Sequence, residues 1–201
     1  MGREKNALTA YMLVALLMVF LNGVEGGDTL RLGDSISGTG DQTLLSKNGK
    51  FELGFFSPDE NNTNWYIGIW YTNMADRAIV WVANRETPVS EESGVLNVSR
   101  DGYLALFDAQ GALVWSPNVS KKASRAVILD SGNFLVLGGE NHSEIIWQSF
   151  DHPGDSWLPG MKLRRGQKLV PWKNSFDPAC QKIRATLEQF RAVLGEPIFR
   201  C

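Results

Sequence analysis

The chain repeats one short phrase, two aliphatic residues followed by tryptophan, as Ile79-Val80-Trp81, Leu113-Val114-Trp115 and Ile145-Ile146-Trp147. The copies are 34 and 32 residues apart. A turn and an apolar, strand-like segment precede each copy, and the turns are Asn48-Gly49, Asp101-Gly102 and Ser131-Gly132. A period of this length indicates an internal repeat. The sequence therefore predicts an all-β scaffold of three small antiparallel sheets with pseudo-threefold symmetry, each burying one tryptophan (Trp81, Trp115 or Trp147) near a common axis.

Ten short segments carry the apolar and β-branched residues that are typical of strands, and turn residues separate nearly all of them. They are residues 44–45, 51–56, 65–71, 79–83, 95–98, 104–107, 113–115, 126–129, 134–137 and 145–148. Segment 65–71 is apolar on both faces, so we expect it to be buried on both sides or to pair its second face with another sheet. Residues 27–43, rich in Gly, Ser and Thr, are expected to form an N-terminal arm.

The N-terminal end has the pattern of a secretory signal peptide. Arg3 and Lys5 precede an apolar run at residues 11–21, and the small residues that follow fit a cleavage site. The run is shorter than the ~20 residues that a membrane-spanning helix needs. We therefore expect residues 1–26 to be removed from a secreted, extracellular chain without a membrane span; an N-terminal anchor that is not cleaved is the alternative.

Three further parts are predicted. Residues 27–160 form the repeat domain, residues 161–178 a connector and residues 179–201 a tail of different character. Apolar residues recur at 3.6-residue spacing across 178–194, behind Asp177 as a candidate N-cap. The tail is therefore expected to contain a short helix.

Cysteine, histidine and charge limit the other functions open to the chain. Cys180 and Cys201 are the two cysteines, and they are candidates for one disulfide in an oxidising compartment. His142 and His152 have no Cys or His at ligand spacing, so neither a metal nor another cofactor is expected. The net charge of −2 comes without a sustained basic face, which argues against a nucleic-acid partner.

The sequence also lacks a convincing catalytic constellation. Gly33-Asp34-Ser35-Ile36 resembles the nucleophile block of GDSL-type hydrolases, but neither histidine has an Asp three residues before it to complete the triad. The glycine-rich loop, strand lysine and "HRD" or "DFG" phrases of a protein kinase are absent from the chain. We therefore expect a protein that is not an enzyme.

Four N-glycosylation sequons occur, beginning at Asn61, Asn97, Asn118 and Asn141. Three of them fall in polar stretches between predicted strands, where a bulky hydrophilic glycan can be accommodated. Asn97 lies in a strand-like run and is the weakest candidate.

The phrases "KFELGFFSP", "WYIGIWY", "VWVANRETPV", "LDSGNFLVL" and "WQSFDHPGDSWLPGMKL" follow one another in this order. In number and order they resemble plant G-type lectin S-receptor-like serine/threonine kinases and S-locus glycoproteins, from residue 27 to about residue 178. The resemblance implies a bulb-type, mannose-binding type lectin domain, a β-prism of three four-stranded antiparallel sheets. In that family the lectin module opens an ectodomain that continues to a membrane span and an intracellular kinase. Here the resemblance ends before those parts, so we expect a truncated, frame-shifted or alternatively spliced product.

Mannose-binding members of that family carry the pattern Q-x-D-x-N-x-V-x-Y, whose alternate residues line one face of a strand. The second unit has Ser99, Asp101, Tyr103, Ala105 and Phe107 at these positions, and the third unit has Leu129, Ser131, Asn133, Leu135 and Leu137. The second and third units each keep one polar residue of the pattern, and the first unit keeps none. The degenerate carbohydrate-binding candidates are Ser99, Asp101, Tyr103, Phe107, Ser131 and Asn133. Asp101 and Asn133 are equally well explained as hairpin-turn residues beside a glycine.

The sequence thus predicts a secreted, non-catalytic recognition module for a mannose-type carbohydrate or for a glycosylated or peptide ligand. The family resemblance implies a role in pollen recognition or defence signalling. The alternative is a module or decoy that has lost sugar binding and pairs with a receptor ectodomain or with a second copy of itself.

Overall fold

A computed structural model describes residues 27–58, 61, 63–74, 77–90, 93–180 and 199–200. The expected signal peptide, residues 1–26, lies outside the described residues, as does most of the tail with Cys201; the side chain of Cys180 is also outside them. Within the described ranges the chain forms β-strands and one short 3-10 turn, Ser149–Asp151. No helix in this part of the chain is long and apolar enough to cross a membrane.

The strands are numbered in chain order. They are β1 (Thr29–Arg31), β2 (Ser35–Ser37), β3 (Leu44–Leu45), β4 (Phe51–Phe56), β5 (Asn64–Tyr71), β6 (Ile79–Val82), β7 (Val89–Ser90), β8 (Val95–Val98), β9 (Leu104–Phe107), β10 (Leu113–Trp115), β11 (Ala123–Ile128), β12 (Phe134–Gly138), β13 (Glu144–Gln148), β14 (Ser156–Trp157), β15 (Trp172–Asn174), β16 (Asp177–Cys180) and β17 (Phe199–Arg200).

Three antiparallel sheets form the domain, which confirms the predicted fold class. Sheet I has the order β3-β4-β5-β6, with β7 added beside one end of β5. Sheet II has the order β10-β9-β8-β2, and sheet III has the order β1-β11-β12-β13. Each repeated tryptophan lies on an edge strand of its sheet: Trp81 on β6, Trp115 on β10 and Trp147 on β13.

The arm at residues 27–43 is part of two sheets, which the composition of the arm did not reveal. Strand β1 pairs with β11 of sheet III, and β2 pairs with β8 of sheet II. Leu30 and Ile36, the central residues of these two strands, are fully buried. The arm therefore supplies the fourth strand of both sheets and ties the start of the domain to its later units.

The shared core lies between the three sheets. Alternate residues of each central strand point inward, among them Leu53, Ile67, Leu106 and Val136, and all of them belong to one buried cluster. Burying apolar surface in this way is the main favourable term in folding, about 25 cal/mol per Å². Packing of this shared core therefore holds the three sheets together.

Strand β5 is buried on both faces, as its double apolar pattern predicts. Ile67 and Ile69 face the shared core, whereas Tyr66 and Trp70 form a second buried cluster with residues of β4 and β6. Trp172 of β15 packs against this second cluster. The second face of sheet I is thus covered by the segment that follows the repeats.

The segment after residue 160 departs from the expected connector and helix. Strands β15 and β16 pair with each other and lie on the domain. Asp177 and Pro178, the predicted start of the helix, belong to β16, because cross-strand pairing outweighs the capping signal there. The rest of the predicted helix lies outside the described residues.

Candidate functional site

The structure brings the three repeated tryptophans together. The ring centroids of Trp81 and Trp115 lie 6.1 Å apart, and those of Trp147 lie 5.8 Å from both. The planes of the three pairs are inclined by 64–74°, the edge-to-face arrangement that aromatic quadrupoles favour. One ring from each sheet therefore meets the other two at a common point, which we call the tryptophan axis.

Residues after the third repeat hold the axis in place. The Nε1–H of Trp81 donates a hydrogen bond of 2.9 Å to the carbonyl oxygen of His152. The His152 ring stacks on Trp147 with centroids 5.2 Å apart and an angle of 14° between the planes. Phe134 contacts Trp147 from the core side. The loop that carries His152 thus joins the first and third units, a role that the sequence did not indicate.

The tryptophan axis is accessible to solvent on the side of Trp115 and Trp147. Trp81 is buried, whereas Trp115 and Trp147 are only partly buried. The three rings line an open groove with a volume of about 560 Å³, which we call the axial groove. Charged and polar residues form its rim: Arg85, Glu86, Asn118, Asp151, Gln167 and Lys168. An aromatic floor with a few polar groups around it is typical of small-ligand sites.

Arg85 fixes one wall of the groove to the segment after the repeats. Its Nε donates to the carbonyl oxygen of Pro178 at 2.8 Å, and its Nη2 donates to the carbonyl oxygens of Val170 and Pro171 at 2.9 and 3.2 Å. A guanidinium suits this task because it has five donors in a rigid plane. No signal in the sequence linked Arg85 to carbonyl groups so far along the chain.

The candidate sugar-binding residues of the second unit lie around the hairpin turn between β8 and β9. The Gly102 N–H donates to the Ser99 carbonyl oxygen at 2.9 Å, and Gly102 has a φ of +85°, which glycine adopts without strain. The Ser99 Oγ accepts a hydrogen bond from the Tyr103 N–H. Asp101 is exposed at the tip of this turn. The structure therefore places Ser99 and Asp101 where turn residues are expected.

The outer face of sheet II carries a row of apolar side chains beside these candidates. Tyr103 is 50% exposed and Leu113 is 62% exposed, while Phe107 is partly buried. Phe107 lies opposite Val95 on one side and Leu113 on the other. This row, the sheet II strip, offers aromatic and aliphatic contact, and the polar residues Asn97, Ser35 and Ser37 lie beside it on the same face.

Asn133 of the third unit is buried, and its side chain is engaged inside the domain. Its Nδ2 donates to Gln148 Oε1 at 2.9 Å. Its Oδ1 accepts from the Ser149 hydroxyl at 3.2 Å and from the Phe150 N–H at 3.3 Å. Ser131, in the preceding turn, is partly buried and accepts a hydrogen bond from the Asn133 N–H. An amide with these partners holds the 3-10 turn against β12.

Asp130 joins the turn of the third unit to the turn of the first. Its carboxylate accepts the Asn48 N–H at 2.8 Å and the Asn48 Nδ2–H at 2.7 Å. The hydrogen bond from the Asn48 backbone lowers the pKa of Asp130, and Ser46 and the charges of Lys50 and Lys47 act in the same direction. This contact between units was not predicted, because Asp130 lies outside the alternating pattern that drew attention to its neighbours.

The four sequons differ in their surroundings. Asn61, Asn118 and Asn141 are exposed in loops. Asn97 lies within β8, between β2 and β9, and its Oδ1 is buried without a hydrogen-bond partner among the described residues. A glycan is therefore sterically easier to place on the three loop asparagines.

The comparisons with known proteins agree with this architecture. Residues 78–173 match the family model described as D-mannose binding lectin. The chain is 40% identical over 181 residues to the G-type lectin S-receptor-like serine/threonine-protein kinase B120 of Arabidopsis thaliana, a match over 84% of this chain and 21% of that protein. It is also 40% identical over 183 residues to the putative inactive kinase SRK of the same plant, covering 86% of this chain and 32% of that protein.

Two solved lectin structures are similar to part of this chain. The lectin of Marasmius oreades has a TM-score of 0.45 and 20% identity, covering 61% of this chain and 90% of that one. A monomeric mannose-binding lectin from Gastrodia elata also has a TM-score of 0.45, with 18% identity, covering 61% of this chain and 96% of that one.

Three antiparallel sheets that meet at a tryptophan axis, with a matching family model over residues 78–173, define a lectin-type domain. The chain belongs with the G-type lectin S-receptor-like serine/threonine-protein kinases, of which it spans 21% and 32% of the length in the two relatives above.

Proposed function

We propose that this protein is a non-catalytic recognition module that binds a carbohydrate of mannose type, or a glycosylated or peptide ligand. The observation that carries the proposal is the lectin-type scaffold itself, three sheets locked at the tryptophan axis with their hairpin turns fixed by hydrogen bonds. The D-mannose binding lectin match supports the class of ligand. A rigid scaffold that presents preformed surfaces loses little entropy on binding.

We place this module outside the cell. The pattern of residues 1–26 supports secretion, and the relatives are named as receptor-like kinases. The family resemblance supports a role in pollen recognition or defence signalling.

A second candidate is a protein-interaction module that has lost sugar binding. The engagement of Asn133 inside the domain favours it, because that amide is not free for a sugar hydroxyl. The apolar sheet II strip, with Tyr103 and Leu113 exposed, would suit a receptor ectodomain or a second copy of the chain.

A glycan array probed with the secreted domain separates the two candidates. Binding to mannose-type glycans that Tyr103→Ala weakens, and that Phe176→Ala leaves unchanged, supports carbohydrate recognition at sheet II. Phe176 is the control because it is similarly exposed, at 56%, in the turn between β15 and β16. No binding to any glycan, together with a dimer or a complex with a purified receptor ectodomain, would favour the second candidate instead.

A further inference from the structure

The axial groove has a point of carbohydrate attachment on its own rim. Asn118, the first residue of the sequon Asn118-Val119-Ser120, is exposed and lines the groove together with Trp115 and Trp147. We propose that an N-linked glycan on Asn118 folds back into the axial groove and packs on the accessible parts of these two rings. The inference rests on the proposed passage through the secretory route, and it assigns the groove an occupant carried by the chain itself.

The backbone around the sequon is held close to the groove. Ser116 Oγ donates a hydrogen bond of 2.8 Å to the Leu104 carbonyl oxygen, and Pro117 is buried. The Val119 N–H donates to the Pro117 carbonyl oxygen at 2.8 Å. Asn118 therefore leaves the domain from a fixed position, three residues after Trp115. The first sugar of a glycan attached to Asn118 therefore lies next to the groove, and the glycan can enter the groove without a long flexible linker.

The chemistry of the groove suits a glycan core. The C–H face of a pyranose ring is apolar and packs on the face of an aromatic side chain, as buried apolar surfaces do in general. The hydroxyl and acetamido groups of the sugars need hydrogen-bond partners at the edge. Lys168 on the rim supplies a donor, and Asp151, which already accepts hydrogen bonds from Gln148 and Arg164, has further acceptor capacity on its two oxygens. A volume of about 560 Å³ is large enough for two sugar rings, since sites for drug-sized ligands span about 300–1,000 Å³.

Asn141 provides a matched control within the same chain. It is also exposed and begins a sequon, but it lies on another surface, beside Lys121 and Glu144. A glycan on Asn141 starts from a charged groove whose lining contains no aromatic residue. Loss of that glycan should leave the solvent exposure of Trp115 and Trp147 unchanged.

The test uses the full chain secreted by a eukaryotic cell line, with oxidation by hydroxyl radicals measured residue by residue in a mass spectrometer. Ser120→Ala removes the Asn118 sequon, and Ser143→Ala removes the Asn141 sequon. We expect oxidation of Trp115 and Trp147 to rise several-fold in Ser120→Ala and to stay unchanged in Ser143→Ala. Removing the whole glycans from the wild-type protein with a peptide N-glycosidase should produce the same rise, and this measurement remains possible if Ser120→Ala is poorly secreted.

Two outcomes would overturn the inference. One is an unmodified Asn118 in secreted wild-type protein, read from the intact glycopeptide. The other is equal protection of Trp115 and Trp147 with and without the Asn118 glycan, which would mean that a free ligand, a second copy or another part of the chain covers the groove. A silent glycan array would count against the proposed carbohydrate function and would leave this inference standing, so the two failures are distinguishable.

Discussion

Asn133 and Asp101 occupy neighbouring positions in related hairpins, but their surroundings are opposite. The Asn133 amide bonds to Gln148, Ser149 and Phe150 in the buried interior. Asp101 is exposed at a turn. The one polar residue that each unit keeps from the pattern thus lies in the core in the third unit and in solvent in the second.

This contrast predicts different costs of substitution. Asn133→Ala leaves buried groups of Ser149 and Gln148 without their partner, so we expect a loss of about 1–3 kcal/mol in the free energy of unfolding. Asp101→Ala should change it by less than about 0.5 kcal/mol, as surface substitutions usually do. Urea denaturation of both variants measures the difference. Equal, small effects would mean that the Asn133 network does not hold the third unit together.

Asp130 makes a prediction about acid stability. Its pKa is lowered in the folded protein by the hydrogen bond from Asn48, so its contribution to stability is present above the ordinary carboxyl pKa. The contribution is lost as the pH falls below about 4 and through the lowered folded-state pKa. Asp130→Asn should therefore flatten the dependence of stability on pH in that range.

Thermal unfolding at pH values between 2 and about 6 measures this effect, and the range brackets the carboxyl pKa. Asp101→Asn, at the tip of the equivalent turn in the second unit, is the control. If the unfolding temperature of the Asp130→Asn protein falls with decreasing pH as steeply as that of the wild type, the hydrogen bonds between Asp130 and Asn48 do not stabilise the fold.

At the scale of the elements, the hairpin turns do more than reverse the chain. Gly49, Gly102 and Gly132 occupy the same place in the three turns, with φ values of 68°, 85° and 80°. A Cβ added at Gly102 would lie 2.8 Å from the Ala123 carbonyl oxygen, at the start of β11 in sheet III. A Cβ added at Gly49 would meet nothing within 4 Å. The second turn is therefore also a contact between two sheets.

The pair Gly102→Ala and Gly49→Ala isolates that contact. Both substitutions impose a left-handed conformation on an alanine, at a cost of about 1–2 kcal/mol. Gly102→Ala should cost a further ~1–3 kcal/mol, because a backbone carbonyl cannot move aside as a side chain can. Chemical denaturation compares the two variants. Similar losses in both would show that the close approach of the turn to β11 is unimportant.

For the molecule as a whole, Arg85 links the lectin-type domain to the segment that follows it. Its three acceptors lie in residues 170–178, and the stretch just before them, residues 162–168, carries trypsin sites at Lys162, Arg164, Arg165 and Lys168. Arg85→Lys keeps the charge but cannot reproduce the planar set of donors. We expect faster cleavage in residues 162–168 by trypsin under native conditions.

Arg31→Lys is the matched control for the digestion, because Arg31 is an exposed arginine on β1. Cleavage by trypsin in residues 162–168 should proceed in this variant at the wild-type rate. Should Arg85→Lys also match the wild type, the segment would be held by other contacts, such as that of Trp172 with the second cluster.

The sequence predicted the parts of this fold that follow from local pattern. The three tryptophan phrases were enough to predict three sheets and a common axis, because strand alternation and turn residues are local properties. The pairing of β1 and β2 was missed, since each has three residues and its partner lies far along the chain. The carbonyl partners of Arg85 and the burial of Asn133 depend in the same way on distant segments. Those contacts are set by tertiary packing and leave no periodic signal.

The central claim is that one indole from each sheet meets the other two at the tryptophan axis. A double-mutant cycle tests it most directly, with Trp115→Leu, Trp147→Leu and the double variant compared by urea denaturation. For rings 5.8 Å apart and edge to face, we expect a coupling energy of about 0.5–1.5 kcal/mol. The control cycle pairs Trp115 with Trp70 of the second cluster, and these substitutions should add to within about 0.5 kcal/mol. Additivity in both cycles would contradict the account, because it would mean that the sheets do not meet through these rings.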